Sequence, residues 1–238
     1  MEEILPSTKE VDPNNDPAKL AKIGAHVTKR LDANEHIHKI ENDDVQLYVY
    51  LDFLNPGDCK LLIDKINADA QPSSLYKGTE QAGFRTSYSC NLSRWEPDIK
   101  RIEKRMSDVM GIDNSFAETM QGQRYAVGQE FKPHQDFFHP AQEYWQKEGP
   151  SGGQRSWTAM IFLNLPEEGG ETEFPKIGIG IRPQPGMMLI WNNVNADGTL
   201  NYSTLHAGTP VAKGTKHVIT KWYRQNNWLE INTPDGPK

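Results

Sequence analysis

The stretch "KPHQDFFHP", residues 132–140, sets two histidines, His134 and His139, around one carboxylate, Asp136. On a β-strand, residues two apart point to the same face, so His134 and Asp136 can approach one ion from one side. His139 would turn to the opposite face and is expected outside the ligand set or at the surface. A lone HxD pair carries little weight. It gains weight from His206, in the β-like run "STLHAGTP" further along the chain. Two histidines and one carboxylate on one face of a metal are the donor set of non-haem Fe(II) oxygenases, in which the open positions admit a chelating co-substrate and O2.

Lys216, ten residues beyond His206 in "KGTKHVITKWYR", discriminates further. If the co-substrate is 2-oxoglutarate, Fe(II) brings two positive charges, Asp136 one negative and the acid two negative. One more buried cation makes the set neutral, and Lys216 can supply it at the far carboxylate. A hydrogen bond to a charged group is worth about 1.5–3 kcal/mol, whereas an unpaired buried charge costs more.

The elements that must position these groups are mostly strands. Beyond residue 118, short β-like runs alternate with Gly, Pro and Asn: "TMQGQRYAVG", "SWTAMIFLNL", "TEFP", "IGIGIRP", "MMLIWNN" and "HVITKWYR". That texture predicts a mainly β fold, an antiparallel sandwich or jelly roll, with flanking helices. Upstream, "VQLYVYLDFL" (45–54) and "FRTSYSCNLS" (84–93) read as strands. Helices are expected near 56–68, where Asn55 caps and Pro56 sits in the first turn, and over 97–110, ended by Gly111. Residues 1–44 are expected to be an N-terminal tail, partly disordered, and 231–238 a C-terminal tail around one domain at 45–230. A short helix is allowed within "TKRLDANEHIHKIENDD", whose His36 and His38 lack further ligands and read as surface groups.

The chain has 238 residues, 36% hydrophobic, with a net charge of −6. Its mean hydropathy is −0.71 and its pI about 5.7. These values argue against a nucleic-acid or anionic-membrane surface, and no apolar run approaches a membrane span of ~18 residues. The start shows no secretory signal. Cys59 and Cys90 form no CxxC pair, which together with that start points to a reducing cytoplasm.

From Gln121 to Trp222 the sequence resembles the catalytic domain of the prolyl 4-hydroxylases, within the 2-oxoglutarate/Fe(II) dioxygenases. The resemblance is a series of motifs in order: "QRYAVGQEFKPHQDFF", the R-x-x-T strand and GGxTxFP turn of "RSWTAMIFLNLPEEGGETEFP", the hairpin "PKIGIGIRPQPGMMLIWNN", and "NYSTLHAGTPVAKGTKHVITKWYR". More loosely it covers residues 45–225, with "FRTSYSC" similar to the strand bordering the peptide-binding side.

The resemblance implies a double-stranded β-helix, with His134, Asp136 and His206 as iron ligands and Lys216 as the 2-oxoglutarate partner. It also implies that the Tyr125 hydroxyl meets the same carboxylate, that Thr158 lines that pocket, and that Trp222 flanks the substrate proline; without the motif order Tyr125 and Thr158 read rather as inward-facing strand residues, and Trp222 is equally a core tryptophan. Fe(II), 2-oxoglutarate and O2 are the implied cofactors, with ascorbate as a stimulant. The implied reaction hydroxylates proline at its 4-position in a peptide or protein, releasing succinate and CO2. Alternatives are a free amino acid or small metabolite as substrate, or a non-catalytic jelly-roll module, against which Lys216 and Tyr125 count. Phe131 stands where the family often has tyrosine, Gln135 where an aromatic is common and Arg224 where some relatives carry histidine, which leaves substrate identity open. Arg85, at the end of a flap expected over 77–85, would meet backbone carbonyls or an acidic group of the substrate. The Gly-rich loop 139–155 is expected to cap the entrance and to be mobile. Collagen is not the expected substrate, and the oligomeric state is left open.

Overall fold

A computed structural model describes residues 12–76 and 80–233. Its framework is an eight-stranded antiparallel sheet in the order β1 (Ile37–Lys39), β2 (Leu47–Tyr50), β11 (Met188–Asn192), β7 (Arg155–Phe162), β14 (Lys216–Arg224), β5 (Gln121–Tyr125), β4 (Tyr88–Asn91) and β3 (Gln71–Pro72). A second sheet of four strands runs β10 (Ile179–Ile181), β9 (Thr172–Phe174), β12 (His206–Gly208), β6 (Phe131–His134). A short ladder joins β8 (Glu168–Gly169) to β13 (Val211–Lys213). The mainly β jelly-roll expectation agrees with this architecture. The large sheet, however, also recruits strands from upstream of residue 118.

Period-two alternation explains how the large sheet serves two cores. Along β7, Trp157, Ala159 and Ile161 face the helices, while Met160 and Phe162 face the opposing sheet. Along β11, Met188 and Ile190 go outward and Leu189 and Trp191 inward. Three helices cover the outer face: α1 (Pro17–Asp32), α2 (Pro56–Asp69) and α3 (Pro97–Met110). The two expected helices are therefore present, with Asn55 capping α2 through its side chain and Gly111 ending α3 in the left-handed region at φ 68°.

Residues 17–39 correct the expectation of a tail over 1–44. Asp16 caps α1 by accepting from the Ala18 and Lys19 amides, Pro17 occupies its first turn, and Leu20, Gly24, Val27 and Leu31 are buried. The polar composition of this stretch hid a 3–4 spaced apolar stripe. Residues 1–11 and 234–238 lie outside the described residues, as do 77–79 of the expected flap. The strands at 45–54 and 84–93 are shorter than expected, and residues 51–54 form a turn. Two short helices, α4 (Trp145–Glu148) and α5 (Trp228–Asn232), complete the fold. Among the described residues no helix is long and apolar enough to cross a membrane.

Candidate active site

His134 ends β6 and His206 begins β12, and the two are paired directly in the small sheet. Asp136 lies just past the end of β6, so it reaches the site from a bend rather than from the same strand face. The three side chains nevertheless converge: their ligand atoms all lie within 4.8 Å of one another. His134 Nε2 is 3.9 Å from Asp136 Oδ1, and His206 Nε2 is 3.8 Å from Oδ2. Each imidazole places Nδ1 against a carbonyl oxygen, Lys132 at 2.8 Å and Thr204 at 2.9 Å. A carbonyl only accepts, so Nδ1 of each ring carries a proton and Nε2 is the atom turned toward the carboxylate. Burial and the neighbouring His206 hold the His134 imidazolium down, at about 3, so the ring is neutral at ordinary pH. Burial alone would raise the Asp136 carboxyl, but His206, His134 and Arg155 keep it below the usual range. Two imidazoles and one carboxylate are a fitting donor set for Fe(II). His139 lies outside this cluster, against Phe137 and Tyr202.

Lys216 opens β14 on its inner face and is 2% exposed. Its ammonium has a single hydrogen-bond partner, the Thr172 hydroxyl at 3.5 Å, and no ion pair among the described residues. Burial lowers it to about 7, opposed in part by Glu171. Tyr125 is its direct partner across β5 and β14, with Lys216 Nζ 5.4 Å from the ring centre, and the Tyr125 hydroxyl donates to Gln123 Oε1 at 3.1 Å.

Thr158 corrects the expectation that it lines the same pocket. It pairs with Trp222, six residues down β14 from Lys216. Its hydroxyl instead donates to Asp136 Oδ2 at 2.8 Å. The threonine beside Lys216 is Thr172, which sequence reasoning passed over although the GGxTxFP turn contains it. That turn needs its glycines: Gly169 has φ +73°, and a Cβ there would lie 2.4 Å from the Pro210 carbonyl oxygen.

A cavity of about 560 Å³ opens beside His134 and Asp136. Arg85, Phe131 and Trp222, expected on the substrate side, all line it. Phe131 stacks on His134 with ring centres 3.5 Å apart. Arg85 lies over the Phe131 ring and donates to Gln121 Oε1 at 2.7 Å and Ser87 Oγ at 3.2 Å. Arg155 packs 4.1 Å from the Trp222 ring centre and grips Glu118 through two hydrogen bonds of 2.6 and 2.8 Å. Arg224 adds a third to Glu118 at 2.8 Å. The Glu118 carboxyl would be raised by burial, yet Arg155 and Arg224 hold it down at about 2. This network was missed; its one sequence signal was the arginine of R-x-x-T. Tyr144 of the loop 139–155 is at the cavity wall, while the loop's Gly-rich end, expected to be mobile, is tied down: Arg224 Nε donates to the Gly153 carbonyl at 2.8 Å and Asn226 N to that of Gly152 at 2.9 Å.

The 2OG-Fe(II) oxygenase superfamily model matches residues 120–224. A probable prolyl 4-hydroxylase 10 of Arabidopsis thaliana is 33% identical over 220 residues, covering 82% of this chain and 74% of that protein. The chain belongs to the prolyl 4-hydroxylase family. The human prolyl 4-hydroxylase subunit alpha-1 is 37% identical over 147 residues, 61% of this chain but 27% of that longer protein. Among solved structures, the viral collagen prolyl hydroxylase of Paramecium bursaria Chlorella virus-1, in its 2-oxoglutarate complex, is similar with a TM-score of 0.58 and 26% identity. That likeness covers 82% of this chain and 98% of the viral one. The family's cofactors are Fe(II), 2-oxoglutarate and O2.

Proposed function

We propose that the protein hydroxylates proline, at the 4-position, in a peptide or protein, with 2-oxoglutarate converted to succinate and CO2. The observation that carries this reading is a buried lysine, Lys216, with no ion pair among the described residues, whose ammonium lies beside Gly208 on the strand that begins with His206 of the His-Asp-His cluster. Relatives named as prolyl 4-hydroxylases supply the substrate class.

His134, Asp136 and His206 would hold Fe(II), and Lys216 with Tyr125 and Thr172 would hold the far carboxylate of 2-oxoglutarate. Bound together, iron and the keto acid supply the oxidising chemistry that inserts one oxygen atom of O2 into a C–H bond. The chain supplies position and dryness. Trp222, fixed by Arg155 stacking on it, offers an aromatic wall for the pyrrolidine ring. Phe131 offers a second, held against His134. Arg85 stands at the cavity wall as a donor to peptide carbonyls or an acidic neighbour. A non-catalytic module would have no use for a buried cation of this kind. Ascorbate is expected to stimulate turnover by restoring oxidised iron. The two unpaired thiols, Cys59 and Cys90, favour a reducing, cytoplasmic location.

The test is a proline-containing peptide library incubated with Fe(II), ascorbate and 2-oxoglutarate, read by succinate release and by a product one oxygen heavier. Trp222→Ala should lower product formation with the best peptide while leaving 2-oxoglutarate binding intact. Succinate release that never depends on any peptide, with free proline oxidised instead, would reject the peptide assignment.

A further inference from the structure

Asp136 has two carboxylate oxygens, and the structure treats them differently. Oδ2 accepts the Thr158 hydroxyl at 2.8 Å, whereas among the described residues no side chain donates to Oδ1. Thr158 is fully buried on the inner face of β7, so its single proton has few places to go. Asn193 settles its direction. Its amide nitrogen sits 2.9 Å from Thr158 Oγ1 and can only donate, so it occupies a lone pair of the hydroxyl and leaves the proton for the carboxylate. The reverse orientation of the amide would turn the Thr158 proton toward Asn193 and set a hydroxyl lone pair against a buried carboxylate. The charge on Asp136 therefore selects the observed arrangement, even though it leaves Asn193 Oδ1 buried without a partner.

Both members stand on rigid backbone. Thr158 is opposite Trp191 in the β7–β11 ladder. Asn193, just past β11, is fully buried and donates its own amide to the Ser156 carbonyl at 2.8 Å. Neither residue lines the cavity beside the cluster.

We infer that Thr158, held by Asn193, restricts Asp136 to one-oxygen ligation and thereby keeps open the metal positions that the keto acid and O2 require. The inference rests on the Fe(II)/2-oxoglutarate reading of the site. An octahedral ion bound by two histidines and one carboxylate oxygen has room for a chelating acid and one further ligand. If Asp136 gave both oxygens, the chelating acid would fill what remained and O2 would have no place. A hydrogen bond committed to Oδ2 opposes that mode, because the oxygen would have to give up a charge-assisted contact to turn toward the ion. Thr158 and Asn193 are thus positioning residues, acting through Asp136.

The test compares wild type with Thr158→Val, which keeps the shape and removes the hydroxyl, Thr158→Ser, which keeps the hydroxyl, and Asn193→Ala. Under anaerobic conditions, Fe(II) binding is measured by calorimetry. Binding of 2-oxoglutarate to the Fe(II)-loaded protein is then followed by the visible metal-to-ligand charge-transfer band of the chelate. Thr158→Val should retain Fe(II) and 2-oxoglutarate binding within about threefold, yet once O2 is admitted its charge-transfer band should decay about tenfold or more slowly, in line with the effect of partners behind metal ligands. Thr158→Ser should recover most of the loss, and Asn193→Ala should fall between. Wild-type decay of the band under O2 in both Thr158→Val and Asn193→Ala would overturn the inference. So would a parallel loss of Fe(II) and 2-oxoglutarate binding that serine does not rescue, since that is general damage to the fold. If wild type itself binds Fe(II) but forms no chelate band, the cofactor reading of the site fails, independently of Thr158.

Discussion

Strand β14 carries two buried lysines that face opposite ways, and they answer the same physical problem differently. Lys221 points to the helices and is fully buried against Glu103 of α3, with Nζ 2.5 Å from Oε1. Asn114 donates to the other Glu103 oxygen at 2.6 Å, and the Glu118 carbonyl accepts from Lys221 at 3.3 Å. That charge is neutralised inside the protein. Lys216 points between the sheets and finds one hydroxyl at 3.5 Å. Burying an ammonium costs several kcal/mol, offset only by excellent partners. The outer lysine has those partners in the folded chain. The inner one lacks them, and its burial is explained when the partner is a ligand that arrives later. One strand thus carries two buried lysines separated by the pleat, one paired within the fold and one proposed to meet a ligand.

The comparison breaks most severely if the metal set is wrong, because Lys216 would then have no anchored acid to meet. His134→Ala, Asp136→Ala and His206→Ala are each expected to abolish 2-oxoglutarate turnover and to weaken Fe(II) binding. His139→Ala should do neither, since it lies outside the cluster. Calorimetry with Fe(II) and a succinate assay decide this, and equal loss with His139→Ala would mean the wrong histidine had been assigned.

Stability should separate the two lysines next. Lys221→Met removes one member of a buried pair and strands Glu103, at a cost of about 3–5 kcal/mol. Lys216→Met removes a lone buried charge and replaces it with an apolar chain of similar length. The ligand-free protein should be equally stable or more stable for it, while binding no 2-oxoglutarate. Urea unfolding of both variants checks the contrast. A large loss of stability with Lys216→Met would mean that Lys216 has a structural partner after all.

The two faces of β14 also show what a sequence can disclose. The metal cluster and Lys216 were legible because chemistry constrains residue type and spacing: HxD, a later histidine, a lysine ten beyond it. The helices at 56–69 and 97–110 were legible from caps and apolar spacing. Helix α1 was not, because its buried stripe of Leu20, Val27 and Leu31 is diluted by lysines. Thr158 was misplaced because strand order decides its neighbours: only the ladder beside Trp222 shows that it sits behind Asp136, with Thr172 rather than Thr158 against the Lys216 ammonium. The joining of Arg155 and Arg224 through Glu118 was missed for the same reason. These contacts join residues distant in the chain, and the R-x-x-T arginine alone does not announce its partners.

A smaller effect isolates the cofactor contact from the metal. Lys216→Ala should weaken 2-oxoglutarate binding about ten- to a hundredfold, the value of one charge-assisted contact at roughly 1.5–3 kcal/mol, with Fe(II) affinity little changed. Lys216→Arg should restore only part, because a planar guanidinium does not fit a site shaped for a compact ammonium. Lys213, exposed and paired with Glu167, is the control. A larger loss with Lys213→Ala would place the cation elsewhere.

The finest test is pH. Burial sets Lys216 near 7 in the ligand-free protein, well below its value of about 10.4 in an unfolded chain. Between those limits the unfolded state holds a proton that the folded state has released, so the contribution of Lys216 makes stability rise with pH across that window. Binding runs the other way. The acid's carboxylate requires the ammonium, so above about pH 7 each molecule of 2-oxoglutarate bound must bring a proton with it. Affinity should therefore fall as pH rises from about 7, approaching tenfold per pH unit, until the pKa of Lys216 in the complex is reached. Calorimetry in buffers of different ionisation enthalpy counts that proton directly. Lys221, which burial lowers to about 8 against the opposing Glu103, faces away from the acid and should not change on binding, so it contributes nothing to the slope, and Lys216→Arg should flatten it because a guanidinium stays charged throughout. If wild type takes up no proton on binding between pH 7 and about 9, then Lys216 is charged before the ligand arrives, and the difference between the two lysines is one of position alone.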